Sequence, residues 1–248
     1  MRGQHKGENG RVLVIGGSEE YVGAPALAAM AALRSGCDIA VVAAPEKAAY
    51  AINSMTPDLI TKKLLGRELS TTHVPALVKM TEEFDCVVIG PGLGRGPETM
   101  EAVRMLCRAI KTKRVLDADA LHARPVLKNC IVTPHAKEFE ALFGKKATKA
   151  NAKKVAKKNC VVLLKGPIDI ITDGARLVEN KTGNDGMTVG GTGDVLAGLC
   201  AGLVAQGMPL FKAAVGAARV NGEAGDLLFE ELGYGFVASD LLDVIPLV

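Results

Sequence analysis

The feature that most limits the fold of this chain is a recurring alternation of short β-branched runs with alanine-rich stretches of helical length. "RVLVIGG" (residues 11–17) reads as a buried strand, and "APALAAMAALRSG" (24–36) as a helix with Pro25 in its first turn and Gly36 at its end. "DIAVVAAP" gives a second strand. "CVVIGPGLGRG" (86–96) gives a strand that runs into a glycine loop, followed by a helix from Pro97 to Ile110. "RVLDADAL" and "CIVTPHAKEFEALFG" repeat the strand-then-helix logic. "CVVLLKG" predicts a strand leading to a hairpin at Asp173-Gly174, and the chain after residue 190 is mostly helical in pattern. Strands alternating with helices imply a parallel sheet covered on both faces. The expected class is α/β, a three-layer α/β/α arrangement with a mainly parallel central sheet. With no linker and no internal repeat, residues 1–248 read as a single domain.

Aromatic residues make up only 4% of the chain and Trp is absent, so Ala, Val and Leu must fill the core. Cys37, Cys86, Cys107, Cys130, Cys160 and Cys200 include no C-x-x-C pair and read as small core residues in a reducing compartment. The N-terminal "MRGQHKGENG" lacks an apolar signal core and no stretch is long enough to span a bilayer, so a cytoplasmic protein without membrane contact is expected. The formal charge of +3 is uneven, because "KKATKANAKKVAKK" (145–158) carries seven lysines and no acid. Lys146, Lys149, Lys153 and Lys157 recur at helical spacing, which reads as a solvated helix face. No aromatic side chain interleaves them to stack bases, so nucleic acid is not an expected partner.

Chemistry concentrates in "VGGTGDVLAGLCAGLVAQG" (189–207), where glycines and an acid precede a dozen apolar residues. A helix start presents unpaired amides and partial positive charge, which suits an anion. Gly190, Gly191 and Gly193 let bare backbone approach it, while Thr192 offers an N-cap hydroxyl. Asp194 is redundant as a cap and would repel a phosphate. Its presence makes sense for a group that handles a proton beside one. In parallel α/β sheets ligands sit beyond the carboxyl ends of the strands. The glycine loops after Ile15 and Ile89, the "TPH" after Val132 and Lys165-Gly166 after Leu164 all fall there. The G-x-x-x-x-G-K-[ST] loop is absent, and "GPGLGRGPE" breaks the G-x-G-x-x-G spacing.

A late Gly-Thr-Gly-Asp in an α/β chain resembles the ribokinase-like proteins. "HKGENGRVLVIGGSEEYVGAPALAAMAALRSG", "VIGPGLGR", "VLDADAL", "TPHAKEFEALFG", "VVLLKG", "GMTVGGTGDVLAGLCAGLVAQG" and "ASDLLDVIP", in this order, resemble the ADP-dependent NAD(P)H-hydrate dehydratases, a branch of that fold. The likeness runs over nearly the whole chain. It implies a ribokinase-like three-layer fold and a substrate, NAD(P)H hydrate, with a hydroxyl on the ring carbon next to the ring nitrogen. It implies ADP (or ATP) as phosphoryl donor with Mg2+, a homo-oligomer, and a separate epimerase protein as functional partner.

The resemblance also implies roles. Asp194 would deprotonate the hydroxyl while the amides of Gly191, Thr192 and Gly193 stabilise the phosphoryl group. Ala24, Gly94 and His135 would join Asp194 in holding the hydrate. Lys165, Gly166, Pro167, Ile168 and Asp169 would hold the nucleotide. Glu138 matches a magnesium-linked acid acting through water, and Asp117 and Asp119 would lie near the metal. The chain departs from the family in reading "KGPID", with Asp169 where Thr is common, and "GMTVGGTGD" in place of "GMATGGTGD". Two other readings use the same residues: a small-molecule kinase of the hydroxymethylpyrimidine or hydroxyethylthiazole type, and a catalytically idle nucleotide-binding regulator.

Overall fold

The computed structural model describes residue 5, residues 7–157 and residues 159–248. Nine strands form one sheet: β1 (Arg11–Ile15), β2 (Ile39–Pro45), β3 (Ile60–Leu64), β4 (Cys86–Ile89), β5 (Lys113–Leu116), β6 (Cys130–Val132), β7 (Cys160–Leu164), β8 (Asp169–Thr172) and β9 (Leu177–Asn180). Their order is β3-β2-β1-β4-β5-β6-β7-β8-β9. The first seven are parallel, and β8 and β9 join antiparallel through the expected hairpin, where Gly174 adopts a φ of +88°.

Strand side chains alternate between two cores. Val12, Val14, Val88, Val115 and Val161 face one side, packed by α1 (Gly23–Arg34), α2 (Glu46–Met55), α8 (Thr192–Ala205), α9 (Leu210–Leu232) and α10 (Ala238–Val244). Leu13, Ile15, Val87, Ile89 and Val162 face the other, packed by α3 (Val74–Met80), α4 (Pro97–Ala109), α5 (Asp119–His122), α6 (Ala136–Phe143) and α7 (Lys149–Val155). This is the three-layer architecture. All six cysteines are free and buried. Among the described residues, no helix is long and apolar enough to cross a membrane.

The tightest inter-helix packing joins α1 to α8. A Cβ on Gly198 would lie 2.0 Å from the carbonyl oxygen of Ala28, and one on Gly202 would lie 1.9 Å from Ser35 Oγ. Glycines four residues apart thus let α8 lie against α1 almost backbone to backbone. On the other face, fully buried Arg114 donates to the carbonyls of Cys107 (2.8 Å) and Ile110 (3.0 Å), satisfying the end of α4.

Three local expectations need correction. The lysine-rich helix is only α7, so Lys146 and Lys157 lie outside it, and Lys158 lies outside the described residues. Its Lys149 pairs with Glu179 on β9. Thr192 is not the N-cap of α8. Gly191 takes that position at a φ of +103°, and the Thr192 hydroxyl donates to the carbonyl of Met187 at 2.8 Å. The α8 start consequently has no side-chain cap. Finally, β3 had no counterpart in the sequence reading. It is an edge strand whose Lys62 and Lys63 blunt its hydrophobic pattern. Lys6 of the resemblance's opening "HKG" lies outside the described residues.

Candidate active site

The carboxyl ends of β1, β4, β5, β6 and β7 and the start of α8 meet at one edge of the sheet. Gly90, just past β4, has a φ of +135°, and a Cβ there would lie 1.8 Å from the carbonyl oxygen of Asp117. Only glycine permits that approach. The loop it begins is tied down by Asp119, whose carboxylate accepts from the Gly94 amide at 2.9 Å and from Arg95 Nε at 2.8 Å. Between the two acids, Ala118 is forced to φ 47° and ψ −123°, a region suited to glycine and strained for alanine. On either side of it, Asp117 is held inward by Thr133 and Lys165 and Asp119 is held toward the loop by Gly94 and Arg95.

Asp117 is almost wholly buried and accepts from Thr133 Oγ1 at 2.7 Å and Lys165 Nζ at 3.0 Å. Burial favours a neutral amine, but Asp117, Glu138 and Asp194 outweigh it and hold the Lys165 pKa above its ordinary value. The ammonium reaches the glycine turn: a Cβ on Gly193 would lie 3.2 Å from Lys165 Nζ. His135 and Glu138 form a reciprocal cap on α6, with the His135 amide donating to Glu138 Oε2 at 2.8 Å and the Glu138 amide donating to His135 Nδ1 at 3.2 Å. Glu138 is buried and His135 about half exposed.

Asp194 sits in the first turn of α8 among these charges. Burial, and then the neighbouring Asp117, push its carboxyl up to about 7, against the pull of Lys165. Such a group exchanges protons near neutrality, as a general base requires.

A cavity of about 560 Å3 opens beside the glycine turn, and His135, Lys165, Gly166, Pro167, Asp169, Gly191, Thr192 and Gly193 lie along it. That volume suits a nucleotide. Ile168, expected to join this group, is instead exposed and absent from the lining. Asp169 does not face phosphate freely. It accepts from the Gly166 amide at 3.1 Å and from Asn180 Nδ2 at 3.2 Å, closing the loop it belongs to. Ala24 lies beside the β4 loop: a Cβ on Gly92 would be 3.4 Å from the Ala24 Cβ, and space above Gly94 is open. Neither Ala24 nor Gly94 lines that cavity, whereas His135, Lys165 and the α8 start do.

A further part of the cavity lining was missed in the sequence. Thr182, Gly183, Asn184 and Met187 form it with Ala218, Asn221 and Gly222 of α9. Asp226 clips this loop to the helix, accepting from the Gly183 amide at 2.9 Å and Asn184 Nδ2 at 3.0 Å. A Cβ on Gly222 would strike Thr182 and one on Gly225 would strike Met187. Single glycines within "RVNGEAGDLL", inside a long helical pattern, were the available signal.

An uncapped helix start, a lysine and an elevated carboxylate at the edge of a mostly parallel sheet are what a ribokinase-like protein is expected to hold there. A ribokinase-like superfamily protein from Enterococcus faecalis V583 superposes with a TM-score of 0.88 over 100% of this chain and 89% of its own, at 25% identity. The particular branch follows from residues 12–247, which match the NAD(P)H-hydrate dehydratase family, and the chain belongs to that family. It is 48% identical over 98% of its length to a bifunctional NAD(P)H-hydrate repair enzyme of Pyrobaculum aerophilum, covering 51% of that protein. The chain spans about half the length of the first curated relatives it matches. An ADP-dependent (S)-NAD(P)H-hydrate dehydratase of Cenarchaeum symbiosum is 39% identical over 100% of this chain and 91% of its own. The ADP/ATP-dependent NAD(P)H-hydrate dehydratase of Bacillus subtilis, co-crystallised with ATP and Mg2+, gives a TM-score of 0.83 at 27% identity over 99% and 91% of the two chains.

Proposed function

We propose that this chain dehydrates NAD(P)H hydrate back to NAD(P)H, using ADP as phosphoryl donor and releasing AMP and phosphate. The observation that carries the reading is Asp194, held at about 7 beside an uncapped glycine turn and Lys165. Asp194 takes the proton of the ring hydroxyl as the hydroxyl oxygen bonds to the β-phosphorus of ADP. The bond from that phosphorus to the bridging oxygen breaks and AMP leaves. The amides at Gly191 to Gly193 and the Lys165 ammonium offset the charge on the phosphoryl group in flight. The ring-nitrogen lone pair then expels phosphate, which leaves far more readily than hydroxide. Loss of a proton from the adjacent carbon regenerates the dihydropyridine.

The remaining assignments belong to this proposal. Ala24, Gly94 and His135 hold the hydrate; Lys165, Gly166, Pro167 and Asp169 hold the nucleotide, as does Ile168 through its backbone. Asp117, Asp119, Glu138 and Asp194 outnumber Lys165 and Arg95, so a polyphosphate entering this cluster needs a cation. Among the described residues no three His, Cys, Asp or Glu side chains form a metal cage. That fits Mg2+, which uses one or two carboxylates with phosphates and water. Glu138 would hold it through water and so screen the incoming charge. An epimerase supplying the reactive hydrate epimer, cytoplasmic location and a homo-oligomeric state complete the proposal.

Purified protein mixed with NADH hydrate, ADP and Mg2+ should restore dihydronicotinamide absorbance with stoichiometric AMP. Absence of recovery with both ADP and ATP removes the reading.

A further inference from the structure

Asp226 lies in the second half of α9, and both of its carboxylate oxygens serve the loop that runs into the glycine turn. One accepts from the Gly183 amide at 2.9 Å and the other from Asn184 Nδ2 at 3.0 Å. Asn184 Nδ2 also donates to the Gly225 carbonyl at 2.9 Å, while Asn184 Oδ1 accepts from the Gly186 amide at 2.9 Å. That last contact makes Asn184 the N-cap of a short 3-10 helix, Asp185–Thr188. Gly222 and Gly225 leave α9 bare where Thr182 and Met187 settle on it. Within the 3-10 helix, Met187 offers its carbonyl to the Thr192 hydroxyl at 2.8 Å. A hydrogen-bonded chain thus runs from Asp226 through Asn184 and the 3-10 helix to the first turn of α8. Gly191 caps α8 without a side chain, so the Thr192 hydroxyl supplies the side-chain tie on the turn that bears Asp194.

Resting on the dehydratase reading above, we propose that Asp226 and Asn184 are positioning residues for phosphoryl transfer. They fix the place of the Met187 carbonyl. Through Thr192 they then hold the glycine-turn amides and Asp194 against the reacting phosphorus. The geometry gives position 226 a reason to be an acid. Two N–H donors converge on it from one loop, and a carboxylate accepts at both oxygens. A carboxamide of the same shape has one oxygen and a donor, so in either orientation one loop N–H would face another. Catalysis by preorganised groups tolerates little displacement, since a remote substitution that shifts them by about 1 Å can cost about a hundredfold in rate.

Asp226→Asn, Thr192→Val and the double variant test this by two readouts. The first, hydrogen exchange of the Val195 amide followed by NMR, does not depend on the reaction. That amide donates to the Gly191 carbonyl at 3.1 Å, the first helical bond behind the turn. Each single variant should speed its exchange roughly fivefold, and the double variant no further. The second readout is turnover of NADH hydrate with ADP. Each single variant should lower kcat roughly tenfold, with Kd for ADP within roughly threefold of wild type. The double variant should be no slower than the slower single one, because both cut the same chain. Independent structural damage would multiply instead, to roughly a hundredfold, and that result overturns the proposal. So does a Val195 exchange rate or a kcat that stays at the wild-type level in folded Asp226→Asn, or a loss confined to ADP affinity. If Asp226→Asn does not fold, Asn184→Ser takes its place with the same criteria, since it keeps an N-cap oxygen while cutting the bond to Asp226. If exchange responds as expected but wild type restores no dihydronicotinamide absorbance with ADP or ATP, the dehydratase reading fails while the tie from α9 to α8 stands.

Discussion

The first turn of α8 and the three turns behind it are built to opposite specifications. From Val195 to Ala205 the helix is apolar, almost fully buried, and pressed against α1 through Gly198 and Gly202. From Gly191 to Asp194 it is uncapped, surrounded by charge, and carries a carboxyl raised to about 7. A raised carboxyl is a destabilised anion, and a strained Ala118 adds to the cost nearby. The contrast teaches that the packed part of one rigid element keeps its charged end in a place the charged end would not choose.

The largest effect that would break this comparison is on turnover. Asp194→Asn keeps the turn but removes the proton acceptor, and should lower kcat by about a thousandfold while ADP binding by calorimetry changes little. The same substitution should reveal the cost of the anion. The folded pKa lies above the unfolded one, so wild type loses stability as pH rises from about 4 to 7 and carries the full penalty above 7. Urea unfolding of Asp194→Asn should therefore show a gain of the order of 1–3 kcal/mol at pH 8 and almost none near pH 4.

At the packed end the sign reverses. Gly198→Ala drives a methyl into the Ala28 carbonyl and should cost about 1–3 kcal/mol, despite alanine's better helix propensity. Gly216→Ala on α9, whose nearest neighbour is a Leu203 methyl at 3.4 Å, should gain about 0.5–1 kcal/mol in the same unfolding assay. Smallest of all, Ala118→Gly relaxes the backbone between Asp117 and Asp119 and should gain up to about 1 kcal/mol by thermal melting.

Local patterns made much of this legible. β1, β2, β4 and β7, with the α1 and α4 helices that follow β1 and β4, follow from β-branched runs and Ala-rich stretches whose ends Gly and Pro mark. Asp194 stood out because its charge contradicted the anion site around it. What stayed hidden depended on contacts across the fold. The Thr192 hydroxyl looks like a cap until the carbonyl of Met187 is placed beside it. The partners of Asp169 are hidden as well, because the Asn180 and Gly166 amides reach its carboxylate only in the folded loop. The α9 wall is invisible locally, since Asn221 and its glycines matter only once the 182–188 loop lies against them. Ile168 shares its loop with residues that line the cavity, yet the turn directs it outward.

The central claim is that the surroundings of Asp194 tune it for proton transfer near neutrality. Its most direct test is the pH dependence of kcat/KM for hydrate at saturating ADP, in wild type and in Asp117→Asn. The account predicts activity rising with pH through a midpoint near 7, and a lower midpoint once the Asp117 charge is gone. A wild-type midpoint near 4, the ordinary aspartate range, or one that ignores Asp117, would contradict it.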